Sequence, residues 1–224
     1  MKRILLIGIL YSITAVSIAQ TVIEKVWTTG PTVDGLQELD TRINKLVASL
    51  EKHHYRTDKR KLQALFLKTH GTFLHSYVQY TGIEGLAKGR YDCLTATSLF
   101  ADILTRVGYD FKIVETNYHI FVMVNTSEGE VLLETTDKLG GFIDDEKRMI
   151  KVIEQYKKNV SLYTTVNIDE LPGLLYFNQA VKAFNAAKWD ECSQKLSAAA
   201  KKTNSPQIAE LAAMLHRQPY FSGR

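Results

Sequence analysis

Gly89-Arg90-Tyr91-Asp92-Cys93-Leu94-Thr95-Ala96 sets a cysteine at the head of an apolar run. Ala96, Leu99, Phe100, Ile103, Leu104 and Val107 extend the run along one helical face. Asp92 stands where an N-cap is needed and Gly108 where a C-terminal glycine ends a helix, so the spacing predicts a buried helix of about four turns. Downstream, Phe111 to Thr116, Ile120 to Val124 and Glu130 to Glu134 read as strands, the last two joined by Thr126-Ser127-Glu128-Gly129. A charged helix over 144–158 and a strand from Ser161 to Ile168 follow. Upstream, Leu36, Leu39, Ile43, Leu46, Val47 and Leu50 predict a helix over 35–52, entered through the turn residues Pro31 to Gly35. A second helix is expected near 57–80, and residues 22–28 read as a short extended arm. Helices first and an antiparallel sheet after them is an α+β layout.

At 224 residues, 45% of them apolar and 23% charged, the chain has length for one domain with a small appendage. Lys2 and Arg3 precede the apolar run Ile4 to Ile13, and Ser17-Ile18-Ala19 supplies small residues before a cleavage point. Residues 1–19 therefore read as a secretory signal peptide cut between Ala19 and Gln20, with a secreted or periplasmic product. Cleavage takes Lys2 and Arg3 away, so 28 basic residues fall to 26 against 24 acidic. So even a balance gives no reason to expect nucleic acid as a partner, nor a membrane span after cleavage. The basic run Lys52 to Lys61 reads as solvated surface. His53 and His54 are adjacent and His70 and His75 are five apart, spacings poorly suited to a shared metal, and there is no glycine-rich phosphate loop. Neither a cofactor nor a metal is expected.

From Pro172 to about Arg217 the sequence is helical throughout and rich in alanine. Tyr176, Ala180, Cys192, Leu196 and Ala199, around the turn Lys188-Trp189-Asp190-Glu191, resemble one tetratricopeptide repeat followed by the start of another helix. A lone repeat cannot bury its own face, so it must pack on the preceding domain or on a protein partner. The expected division is 1–19 signal peptide, 20–170 catalytic-type domain and 171–224 helical segment. Cys192 falls at a small, buried position of the repeat and reads as inert; a Cys93–Cys192 disulfide is the alternative in an exported chain.

The chemistry centres on Cys93, His119 and Glu134. Only a thiolate attacks carbonyl carbon well, and the positive end of a helix favours the anion. A histidine in reach takes the thiol proton and later delivers it to the leaving group. The third member follows from strand alternation. If opposed residues across the hairpin sum to 255 or 257, His119 and Glu134 share a face and lie diagonally. A three-residue loop would instead bring Asp137 opposite His119. The backbone N–H of Cys93 is a natural oxyanion donor, with Thr72, His75 and Gln79 as candidate side-chain helpers.

Leu86 to Thr136 resembles the transglutaminase-like superfamily, a branch of the papain-like cysteine enzymes. The resemblance rests on Arg90-Tyr91-Asp92-Cys93, His119-Ile120-Phe121-Val122 and Glu134-Thr135-Thr136. Tyr91 stands where the family usually has glycine, and Glu134 where it usually has aspartate. The resemblance implies a papain/transglutaminase-like core, with N-terminal helices packed on an antiparallel sheet. It implies acyl transfer through a thioester at Cys93, to water (a peptidase or amidase) or to an amine (a transglutaminase). The expected substrates are peptide or protein amides, including those of the cell envelope. The alternative is an inactive scaffold of the same fold that binds a protein or cell-envelope partner.

Overall fold

A computed structural model of the protein describes residues 35–117, 119–158 and 162–219. The signal peptide expected at 1–19 and the extended arm expected at 22–28 lie outside the described residues. The fold is α+β. Helices α1 (Leu36–Glu51), α2 (Asp58–Phe73), the short α3 (Ile83–Leu86) and α4 (Cys93–Val107) come first. Short strands β1 (Ser76–Tyr77) and β2 (Arg90–Tyr91) pair in parallel on either side of α3. Strands β3 (Asp110–Thr116), β4 (Ile120–Thr126), β5 (Gly129–Leu133), β6 (Phe142–Ile143) and β7 (Tyr163–Val166) form one antiparallel sheet in the order β6-β5-β4-β3-β7.

The alternation of strand residues decides what each face meets. Ile113, Val122, Val124, Val131 and Leu133 point to the main core, against α1, α2 and α4. Val114, Phe121, Met123 and Leu132 point the other way. That second face is covered by α5 (Glu146–Lys157) through Met149, Val152, Ile153 and Tyr156, a spacing of three and four that makes one helical stripe. Fully buried Phe66 and Phe100 stack at 5.5 Å at the centre of the main core.

One expectation is corrected here. The helix read near 57–80 ends at Phe73. The amides of His75 and Ser76 both donate to the carbonyl of Gly89, and Val78 N–H donates to the carbonyl of Tyr91. This segment satisfies its backbone by pairing with the approach to Cys93 instead of by helix.

The C-terminal segment is α6 (Leu171–Asn185), α7 (Trp189–Ala200) and α8 (Pro206–His216). Leu171, Leu174 and Leu175, from the first turns of α6, belong to the main core. Its later residues Ala180 and Ala183 join Cys192, Leu196, Ala199, Ile208, Leu211 and Leu215 in a separate cluster. A β-carbon at Gly173 would meet the Thr203 side chain at 2.6 Å, so glycine is what allows this close approach. The turn between α6 and α7 comes earlier than the expected 188–191: it spans 186–188, Trp189 already begins α7, and Ala187 takes a left-handed φ of 55°. Among the described residues, no helix is long and apolar enough to cross a membrane.

His70 is 1% exposed beside Phe66 and Phe100. Burial, then the nearby Lys138 ammonium, hold its pKa down to about 4, against the opposing pull of Asp137. A lowered folded pKa means that its contribution to stability is present above the unfolded value of about 6.5 and is lost as pH falls through 4. His70→Leu should therefore flatten the acid limb of stability over that window, read as urea midpoints from pH 4 to 7; an unchanged acid limb would remove His70 from the account.

Candidate active site

Cys93 is the first residue of α4, and its position is set by the residue before it. Asp92 accepts from Thr95 N–H at 2.8 Å, and Asp92 N–H donates to the Thr95 hydroxyl at 2.8 Å, closing a capping box. Asp92 is 2% exposed; burial raises its pKa, while hydrogen bonds from Thr95, Leu94 and Asn178 oppose the shift. The Asn178 bond, 3.3 Å long, comes from α6, so the C-terminal segment helps to hold the start of the cysteine helix. Cys93 and Cys192 are both free thiols, Cys93 partly exposed and Cys192 fully buried.

His119 immediately precedes β4. Thr116 fixes the turn before it, donating its N–H to the His119 carbonyl at 2.8 Å and accepting the His119 N–H at 3.0 Å. The β4–β5 register pairs Val122 with Leu133 and Thr126 with Gly129 around the two-residue loop Ser127-Glu128, so opposed numbers sum to 255. His119 and Glu134 then share the α5 face, diagonally placed. Glu134 Oε2 lies 2.5 Å from His119 Nε2. Asp137 makes other contacts, its carboxylate accepting the N–H groups of Leu139 and Gly140 in the loop that follows. Gly141 completes that loop: a β-carbon there would stand 2.3 Å from the carbonyl oxygens of both Glu134 and Asp137.

Two further side chains organise the site. Tyr156 of α5 donates its hydroxyl to Glu134 Oε1 at 2.8 Å and stacks on the His119 ring, with centroids 5.4 Å apart and planes 25° from parallel. Glu134 is thereby engaged through both oxygens. Thr97, one turn beyond Cys93, is fully buried; its hydroxyl lies 3.0 Å from that of Thr135 and donates to the Ile120 carbonyl at 3.4 Å. One residue of the cysteine helix thus touches the immediate neighbours of both His119 and Glu134.

Burial alone would lower the His119 pKa. A hydrogen bond with Cys93, a hydrogen bond with Glu134 and the charges of both outweigh it and push the value up to about 9. With Nε2 engaged by Glu134, Nδ1 is the ring nitrogen left for the thiol. Burial, then the Glu134 charge and the hydrogen bond to it, raise the Tyr156 pKa.

Cys93 and His119 open onto a groove of about 480 Å³. Its far wall comes from α6 and α8. Of the three candidate oxyanion helpers, Gln79 lines the groove, and Thr72 and His75 do not. Tyr80, beside Gln79, also lines it and carries a left-handed φ of 55°, which is uncommon for a bulky residue. Tyr91 stays outside, edge-on to Tyr77 at 5.8 Å. Sequence reasoning placed Cys93, His119 and Glu134 together but missed Tyr156, Thr97 and Asn178. The stripe Met149, Val152, Ile153, Tyr156 put the tyrosine on a buried face, yet no sequence signal said that this face crosses the sheet over His119. No protein-family model, curated protein or solved structure matches this chain.

Two outcomes are expected. In wild-type protein the His119 ring should titrate near 9 by NMR. A raised folded pKa places the stability gained from this group below the unfolded value of about 6.5, to be lost as pH climbs through 9. Glu134→Gln should drop the midpoint by well over one unit, and a midpoint that stays put would show that the carboxylate does not support the ring. Thr97→Val keeps the side-chain shape and strands the Thr135 hydroxyl, so it should cost about 1–3 kcal/mol in chemical denaturation.

Proposed function

We propose that this chain is an exported thiol-dependent enzyme that acts on amide or peptide bonds through a covalent acyl-cysteine intermediate. We assign its core to the papain/transglutaminase-like arrangement, followed by a tetratricopeptide-like helical segment. The observation that carries the reading is the contact chain from Cys93 through His119 to Glu134 at the edge of an open groove.

His119 takes the proton of the Cys93 thiol, and the sulfur attacks the amide carbon, forming a C–S bond. The oxygen becomes an oxyanion, with the Cys93 N–H and the Gln79 amide as donors. As the oxyanion collapses, the C–N bond breaks and His119 gives its proton to the leaving nitrogen, leaving a thioester. Water, or an amine, then attacks the thioester carbon, losing a proton to His119, and as the C–S bond breaks His119 passes that proton to the leaving sulfur, which returns the thiol. Glu134 orients the ring and supports its positive charge, with Tyr156 as the positioning residue behind both. Hydrolysis is the favoured outcome because water is always present.

The alternative, an inactive scaffold, drew on Tyr91 and Glu134 as departures from the family pattern. Glu134 reaches His119 despite its extra methylene, and Tyr91 packs edge-on to Tyr77 and does not line the groove. Both observations support the enzymatic reading over the scaffold.

The decisive experiment is labelling with a thiol-directed electrophile built on a peptide amide. Wild type and Cys192→Ala should react at the same rate, Cys93→Ala should not react, and His119→Ala should slow by about a hundredfold or more. Equal labelling of the two cysteine variants would defeat the assignment.

A further inference from the structure

The far wall of the groove consists of two helical stripes. On α6 it is Leu174, Phe177, Val181 and Phe184, with Asn178 between them. On α8 it is Gln207, Glu210, Leu211 and Met214, again spaced by three and four, so one face of each helix looks across at Cys93 and His119. Leu211 anchors this face in the C-terminal cluster, while Met214 is 49% exposed, an apolar side chain left at the rim. On the opposite rim Tyr77 is 55% exposed.

The charges are as one-sided as the apolar surface. The described residues that line the groove include the carboxyl groups of Asp92, Glu115 and Glu210 and the imidazole of His119, but no lysine or arginine. Asp92 is spent on capping α4 and Glu115 accepts from Ser205 at 3.3 Å. Glu210 is an exposed residue of α8 with no such structural duty among the described contacts, four residues before Met214 on the same stripe. A long side chain with an apolar stem and a positive end complements this outer wall, whereas a carboxylate laid along it would meet the like charge of Glu210.

We infer that the groove selects peptide amides carrying a basic side chain, lysine or arginine, next to the reacting carbonyl, its stem lying on the α6 and α8 stripes and its charge meeting Glu210. This selectivity rests on the enzymatic reading above. The C-terminal helices act in it as the specificity wall of the same site.

The test uses the full chain and three peptidyl electrophiles that differ only in the residue beside the carbonyl: lysine, leucine or glutamate. Labelling of Cys93 should run fastest with lysine, slower with leucine, and slowest with glutamate, by about tenfold or more between the extremes. Glu210→Lys, an exposed substitution that leaves the core untouched, should abolish the advantage of lysine over leucine or reverse it. Met214→Ser should slow the lysine and leucine probes together and leave the glutamate probe unchanged. Labelling at Cys93 with equal rates for all three probes, or a lysine preference that survives Glu210→Lys, would overturn the selectivity and leave the enzymatic reading standing. No labelling at Cys93 by any probe would overturn both.

Discussion

The hydroxyl of Thr97 is the constraint on which the site depends. It is buried between α4 and the sheet, where an unpaired polar atom is costly, so it seeks partners from whatever the sheet presents. It finds the Ile120 carbonyl and the Thr135 hydroxyl, each one residue beyond a site residue. Cys93, His119 and Glu134 come from three elements, and this contact ties all three together. The apolar core brings the helix to the sheet, but hydrocarbon contact alone tolerates sliding. A directional bond sets where the helix stops.

Strand register supplies the second constraint. Because alternate residues face opposite sides, a shift of β5 by one residue would send Glu134 into the main core and leave His119 without a carboxylate. The two-residue loop and Gly129, at φ 110°, hold the hairpin in the observed pairing. Burial of α5 against the same face then adds Tyr156, which uses the second carboxylate oxygen. The strong rise of the His119 pKa follows from this arrangement: a ring that burial alone would keep neutral is flanked by two groups that favour its charge.

Much of this was legible in the sequence where the signal is local. Asp92 before an apolar helical stripe, glycine after it, and an alternating hairpin with a polar turn are short-range patterns with direct physical causes. They sufficed to place Cys93 at a helix start and His119 and Glu134 on one face. The break at Phe73 was hidden because β1 is two residues long and its partner is the segment before Cys93, so its backbone is satisfied by a contact that periodicity does not encode. The groove was hidden for a related reason. The repeat pattern singles out Tyr176, Ala180, Cys192, Leu196 and Ala199 and is silent on Phe177, Val181, Leu211 and Met214, which the docking of α6 on the main core brings to the groove. Asn178 and Thr97 are ordinary residues in sequence and acquire their roles entirely from what faces them.

Helix α6 contributes Leu171, Leu174 and Leu175 to one core and Ala180 and Ala183 to another. A rigid rod embedded at both ends transmits order between them: melting of the C-terminal hairpin frays the same helix whose first turns complete the main core. The hairpin and the sheet are thereby energetically coupled, because the residues that complete one cluster share a helix with those of the other.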